Sequence, residues 1–182
     1  MKRILALVCC IALCSAPGFA QRHKAPHKTA AVAGPAMSDQ DFVNFAAQTD
    51  MVEANLGQLA QDKASSDQVK EYGQMLATDH TNDFSQLHAA AQQANLTVPD
   101  AIDSEHNKKM IDPFQKLKGS AFDHKYIAEM VAGHTKAIAV YKKEANDAQN
   151  DAIKTYAQAA LPTLEKHLDE AKALEKSGGK KK

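Results

Sequence analysis

The sequence predicts an all-α fold, a bundle of four long helices with a long crossover between the second and the third. Apolar residues recur every three or four positions along four segments of roughly 25 residues each, which is the period of an amphipathic helix. No long alternating run of β-branched residues is present, and Trp is absent. The two short links and one long link between these segments indicate two helical hairpins joined by a crossover.

Capping residues mark the first two helices. Ser38 followed by Asp41 resembles a capping box and predicts the start of the first helix. Ser65 followed by Gln68 predicts the start of the second in the same way. We expect the second helix to end near Asn95, because Asn commonly adopts the left-handed conformation that closes helices.

The second half of the chain repeats the hairpin after a long connection. Residues 95–121 form this connection, with a short helix predicted over 104–118 that Pro113 interrupts. The segment from Ser120 to Asp123 caps the third helix, and the fourth begins near Asn150. A connection of about 27 residues can run the length of a bundle, which would make helices two and three parallel, as in ferritin-like folds.

The two ends of the chain predict export. Residues 1–20 combine a basic start, a short apolar run and a Gly-Phe-Ala cleavage site, which is the layout of a secretory signal peptide. A retained N-terminal anchor is the alternative; after cleavage no integral membrane span is expected. We divide the rest into a flexible linker (21–37), the bundle domain (38–176) and a basic tail (177–182). The expected location is the periplasm or the outer membrane.

Cysteine and charge narrow the function. All three cysteines lie in the predicted signal, so the mature chain must be held together by its core rather than by disulfides. Residues 38–176 contain 14 Lys and 22 acidic residues, a formal charge of −8. An acidic body argues against nucleic acid binding, because a surface that binds phosphates must be positive. The three lysines of the tail could make only a weak contact with an anionic envelope surface, and no oligomeric state is indicated.

Each predicted helix carries one strong metal-ligand type on its apolar face. These residues are Glu53, His80, His134 and His167. Counted from the hairpin turns, their depths in the bundle differ by on the order of 8 Å, so their side chains can converge. Ring nitrogens within about 4–5 Å of one another would make a metal site credible.

Two further carboxylates lie three residues after a histidine. Asp83 follows His80 and Glu170 follows His167, and we expect both as supplementary or outer ligands. Ferritin-like di-iron sites use Glu-x-x-His, whereas this sequence has the reverse order. The set is rich in nitrogen, which suits zinc, copper or a single iron.

A structural interpretation stays open beside the metal site. Buried histidines paired with carboxylates satisfy one another without a metal and can fix helix register. The alternative is therefore a non-enzymatic structural or stress-related envelope protein. Phosphate-binding loops, nucleophile elbows and His-Glu-x-x-His are absent from the sequence, which argues against an enzyme; an oxidase or catalase-like activity is the weaker third option.

Three stretches resemble an exported bacterial family, the domain of unknown function 4142. They are "FVNFAAQTDMVEANLGQLAQDKASSDQVKEYGQMLATDHTNDFSQL", "GSAFDHKYIAEMVAGHTKAIAVYKKEAN" and "ALPTLEKHLDEA". The resemblance covers about residues 38–175 and implies a ferritin-like bundle and an envelope location. It marks the positions Glu53, Asp79, His80, His134 and His167. It implies no substrate or reaction.

Overall fold

The structure, a computed structural model, describes residues 37–178 of the chain. The predicted signal peptide, nearly all of the predicted linker and the last four residues lie outside the described part. Within residues 37–178 every regular element is helical. In chain order the elements are α1 (Asp39–Lys63), α2 (Asp67–Ala94), α3 (Ser104–His106), a π-helical turn (Asn107–Ile111), α4 (Asp112–Gln115), α5 (Ser120–Asp147) and α6 (Asp151–Gly178). The predicted four long helices and short crossover helix are confirmed.

The helix starts are capped partly as expected and partly from across the bundle. Ser38 Oγ accepts from the Asp41 backbone N–H at 3.1 Å, which confirms Ser38 as the N-cap of α1. The capping box predicted from Ser65 is wrong. The N-cap of α2 is Ser66, whose own side chain makes no capping bond. Instead, Asp123 of α5 accepts from the backbone N–H groups of Ser65 at 3.0 Å and Ser66 at 3.1 Å.

A second aspartate makes the reciprocal contact at the other end of the bundle. Asp39 in the first turn of α1 accepts from the backbone N–H groups of Gln149 at 3.0 Å and Asn150 at 2.8 Å, just before α6. Each hairpin therefore caps the second helix of the other. The N–H groups at a helix start lack intrahelical partners, so both contacts satisfy donors that would otherwise be unpaired.

The same contacts fix the helix directions. Asp123 places the start of α5 beside the start of α2, and the Gly119 N–H donates to the Lys63 carbonyl at 2.7 Å. Helices α2 and α5 therefore run parallel, and the crossover returns along the length of the bundle, as predicted. Gly119 has a φ of 64°, a left-handed conformation that glycine adopts without a Cβ penalty.

The crossover is tied to α1 by a glutamine. The Gln48 amide donates to the Ala101 carbonyl at 3.0 Å and accepts from the Asp103 N–H at 3.0 Å. Ile111 and Phe114 of the crossover are buried. The crossover therefore packs against the bundle instead of forming a free loop.

Two apolar clusters fill the ends of the core, and a polar layer lies between them. One cluster includes Phe42 and Tyr141, and the other includes Leu56 and Tyr126. The helix segments between the clusters contribute buried polar side chains, namely Asp50, Glu53, His80, His134 and His167, each at most 5 % exposed.

Close packing of α1 against α2 depends on glycine. A Cβ placed on Gly57 would lie 2.5 Å from the Gly73 carbonyl oxygen and 2.9 Å from the Ala77 nitrogen. The two helices can therefore approach this closely only without a side chain at Gly57.

In the described part of the chain, none of the helices has the length and apolar character that a membrane crossing requires.

Candidate metal centre

The polar layer brings together three of the predicted histidines and the predicted glutamate. One ring nitrogen from each of His80, His134 and His167 lies within 4.8 Å of the others. Glu53 Oε2 lies 3.0 Å from His80 Nε2 and 3.2 Å from His134 Nε2. His134 Nε2 lies 3.2 Å from His167 Nδ1. One ligand-type atom from each of four long helices thus converges on one point.

The opposite nitrogen of each ring is held by an oxygen outside the cluster. His80 Nδ1 lies 2.8 Å from Asp50 Oδ1, and His134 Nδ1 lies 2.9 Å from the Met130 carbonyl oxygen. His167 Nε2 lies 2.9 Å from Asp79 Oδ2. These oxygens accept, so each outer nitrogen carries the proton and donates.

The outer hydrogen bonds determine what the inner nitrogens offer. A neutral imidazole with its proton on one nitrogen presents a lone pair on the other. When their rings are neutral, the three inner nitrogens, His80 Nε2, His134 Nε2 and His167 Nδ1, therefore direct lone pairs toward each other and toward Glu53. Outer oxygens that fix ring orientation in this way are the usual second shell of histidine metal ligands.

Two of the inner atoms do not satisfy each other as hydrogen-bond partners. Glu53 Oε2 and His80 Nε2 are both buried without a hydrogen bond, although they are 3.0 Å apart, because their relative orientation is poor for one. Buried polar atoms are nearly always paired, so this pair of unsatisfied atoms needs an explanation. A cation between them would supply one.

Charge is concentrated on two members of the cluster. Burial opposes ionisation of Glu53, but the imidazoles of His134 and His80 outweigh it and lower its pKa to about 2. Burial likewise opposes the charge on His80, but Glu53 and Asp50 raise its pKa to about 10. Burial lowers the pKa of His167 to about 4. At neutral pH without a metal, an ionised Glu53 therefore faces a protonated His80.

Asp79 and Asp50 are both partners of cluster histidines. Asp79 points away from His80 and contacts His167 on α6 while its side chain is 31 % exposed. The sequence did not single out Asp50 as a partner of the cluster. In the structure its side chain is only 1 % exposed, which makes it one of the most buried acids. Its position three residues before Glu53, on the same helix edge, was the available signal.

Asp83 does not lie among the converging atoms, where we expected it as a supplementary or outer ligand. Its carboxylate accepts from the Tyr156 hydroxyl at 2.7 Å instead of joining the converging atoms. Burial raises the pKa of Asp50 to about 7, and the negative charge of Asp83 acts in the same direction. Asp83 therefore acts on the cluster through its charge, which interacts with both His80 and Asp50.

Glu170 does not reach the cluster. Its side chain is 44 % exposed and lies 3.8 Å from Lys166 Nζ. A residue three positions along a helix is rotated by about 60° from the first, and on α6 this rotation turns Glu170 toward solvent. The expectation of a ligand at Glu170 is corrected on this ground.

The sequence has a clear family match. The profile described as Domain of unknown function (DUF4142) matches residues 24–174. The chain belongs to this family. No curated protein matches the sequence.

Solved structures share the fold of this DUF4142 member at low sequence identity. CopM in the Cu(II)-bound form has a TM-score of 0.65 and 14 % identity, over 79 % of this chain and 99 % of CopM. CopM in a co-crystallised Ag-bound form has a TM-score of 0.62 and 15 % identity, over 78 % and 97 %. A DUF305 fragment from Deinococcus radiodurans has a TM-score of 0.65 and 14 % identity, over 79 % and 99 %.

Proposed function

We propose that this protein binds one transition-metal ion in the core of its bundle. The ligands would be His80, His134, His167 and Glu53. The protein would act by holding the ion rather than by catalysis. A bound ion would act as a Lewis acid. It would accept the lone pairs of the imidazoles and balance the negative charge of the carboxylate.

The observation that carries the proposal is the convergence of three ring nitrogens, each of which offers a lone pair when its ring is neutral. Every outer ring nitrogen already donates its proton to Asp50, Met130 or Asp79. A network made only for structure would align donors with acceptors, yet Glu53 Oε2 and His80 Nε2 are left without a hydrogen bond. The arrangement supports a cation as the shared partner.

The distances and the donor set fit a four-coordinate ion. Three of the six distances among the converging atoms, between 3.0 and 3.2 Å, are close to the roughly 3.3 Å edge of a tetrahedron with bonds near 2.0–2.1 Å, and the histidine nitrogens all lie within 4.8 Å of one another. Three imidazoles and a carboxylate suit zinc or copper(II), whereas an oxygen-rich site suits di-iron. Four protein ligands also leave no open position, which favours binding over catalysis. The copper-bound forms of CopM favour copper over zinc.

We also propose that the protein is exported to the cell envelope. The signal-like N-terminus supports this location. A further structure with this fold, a DUF305 protein from Streptomyces coelicolor described as secreted, agrees with it. Copper and zinc in such a compartment would be bound outside the reducing cytoplasm.

Metal analysis tests the proposed site directly. The protein, purified without a His tag, is titrated with Cu²⁺ and Zn²⁺ and compared with His80→Ala and His167→Ala. We expect one equivalent in the wild type and a loss of binding in both variants. His88→Ala is the matched control, because His88 is exposed on the same helix as His80.

The outcome also decides between the metal site and the structural network. A melting temperature that rises by several degrees with one metal supports binding, since a ligand of the native state stabilises it. A wild type that takes up no metal, or variants that bind as well as the wild type, would refute the proposal. A structural polar network would then be the better explanation of the cluster.

A further inference from the structure

A pocket connects the surface of the bundle to one member of the metal centre. It has a volume of about 120 Å³ and lies between α1, α5 and the crossover. Its lining includes Phe45, Thr49, Glu53, Met110 and Gly133. Lys136 is exposed at its rim and lies over the Phe45 ring, 5.7 Å from the centroid.

Glu53 is the only predicted metal ligand that lines this pocket among the described residues. Its two carboxylate oxygens have different neighbours. Oε2 contacts His80 and His134, whereas Oε1 lies 3.3 Å from the position that a Cβ on Gly133 would take. Glu53 thus lies between the pocket and the histidines, and the missing side chain at Gly133 leaves room beside it.

The opposite side of the metal centre is almost closed. The cavity there has a volume of about 10 Å³ and is lined by Asp79, His80 and His167 among others. About 10–15 Å³ holds one water molecule. A hydrated metal ion is larger, so it cannot pass there without movement of α2 or α6.

From this geometry we infer that the pocket at Thr49 and Gly133 is the entrance through which a transition-metal ion reaches and leaves the three histidines. Glu53 is the first of the four proposed ligands that the ion meets, and it passes the ion from Oε1 on the pocket side to Oε2 on the histidine side. The negative carboxylate attracts a hydrated cation and replaces part of its water shell. This inference rests on the proposed function, because it needs an ion at the histidines.

The entrance predicts an effect on rates without an effect on affinity. A side chain that narrows a path raises the barrier equally for entry and exit, so both rates fall by one factor while the equilibrium constant is unchanged. Thr49 is half-buried on the pocket wall, and Thr163 lies on the opposite side of the same centre beside the small cavity. The same change, Thr→Leu, can therefore be made on either side.

The experiment measures loading and release of Cu²⁺ by stopped-flow absorbance, together with the equilibrium Kd. We expect Thr49→Leu to slow both rates by about tenfold with Kd within about twofold, and Thr163→Leu to change neither by more than about twofold. Gly133→Ala is a second, independent variant that should also slow both rates, because its Cβ would press on Glu53 Oε1. Circular dichroism checks that each variant is folded.

The results separate this inference from the proposed function. If the variants bind Cu²⁺ with wild-type Kd and wild-type rates, the entrance is refuted and the metal site stands. If Thr163→Leu is the slow variant, the ion passes between α2 and α6 and the entrance is again refuted. If the wild type itself binds no Cu²⁺, the proposed copper site fails, and the entrance fails with it.

Discussion

Replacing Glu53 by Gln should expose how much the metal-free protein depends on one buried charge. The change keeps the shape of the side chain but removes the negative charge that faces His80 and His134. The pKa of Glu53 is lowered from 4.5 to about 2. At about 1.4 kcal/mol per pKa unit, the ionised form is favoured in the folded protein by roughly 3 kcal/mol. Loss of one partner from a buried ion pair typically lowers the free energy of unfolding by about 3–5 kcal/mol. Glu53→Gln should therefore lower it by roughly 3 kcal/mol.

The effect should depend on pH with a definite sign. A lowered carboxyl pKa contributes stability that is present above pH 4.5 and is lost as the pH falls through about 2. The raised pKa of His80 contributes stability that is present below 6.5 and is lost as the pH rises through about 10. Both shifts describe largely the same ion pair and are not added. The difference between wild type and Glu53→Gln should therefore be largest between about pH 4.5 and 6.5.

Urea unfolding of the chelator-treated proteins at pH 6 is the assay. With a slope of about 1–3 kcal/mol per M, a loss of 3 kcal/mol lowers the midpoint by about 1–3 M. Glu165→Gln is the matched control, because Glu165 pairs with Lys142 at the surface and is 49 % exposed. Its midpoint should barely change, since surface ion pairs contribute about 0–1 kcal/mol. Equal midpoints for Glu53→Gln and the wild type would refute the buried ion pair as described.

Three other changes test the surroundings of the centre. Asp79→Asn should weaken metal binding by about 10–100-fold, because Asp79 orients His167, and competition with a metal-sensitive dye measures it. Metal affinity should fall as the pH is lowered below about 10, because an ion must displace the proton on His80; titrations between pH 6 and 9 would show it, and a flat profile would contradict it. Gly57→Ala should lower the free energy of unfolding by about 1–3 kcal/mol, because the new Cβ would meet the Gly73 carbonyl, and an unchanged melting temperature would contradict this packing.

The sequence predicted the fold and the four residues that converge in the core because both follow from helical periodicity. Glu53, His80, His134 and His167 were found because each occupies an apolar face, and such a face must point to the core. The short hairpins and the long crossover predicted that α2 and α5 run parallel. The hydrogen bond from the Gly119 N–H to the Lys63 carbonyl confirms this arrangement.

Periodicity could not place the carboxylates beside the histidines. A residue three positions from a ligand is rotated by about 60°, and the sequence does not say whether that rotation leads toward a neighbouring helix or toward water. On α2 it leads Asp83 to Tyr156, and on α6 it leads Glu170 to solvent. Asp123 was missed as a cap of α2 for a related reason, because capping rules consider only residues near in sequence, whereas Asp123 comes from another hairpin.

Two hydrogen-bonded tyrosines connect Asp83, beside the polar layer, with the neighbouring apolar cluster. Tyr156 donates to Asp83, so the Tyr141 hydroxyl, 3.1 Å away, donates to Tyr156. Asp83 in turn interacts with His80 and Asp50 through its charge, and Asp50 accepts from His80 Nδ1. The surroundings of His80 thus include groups on α1, α5 and α6 as well as on its own helix.

The polar layer is a poor stabiliser without an ion. Burying an ion pair costs desolvation free energy, and apolar side chains of similar volume often stabilise a core as well or better. Here the cost is increased because Glu53 Oε2 and His80 Nε2 lack hydrogen bonds. An ion that binds only the folded bundle would add its binding free energy to the native state and satisfy both atoms. The same layer that weakens the core when metal-free would then join all four long helices when loaded, so folding stability and metal occupancy would be coupled.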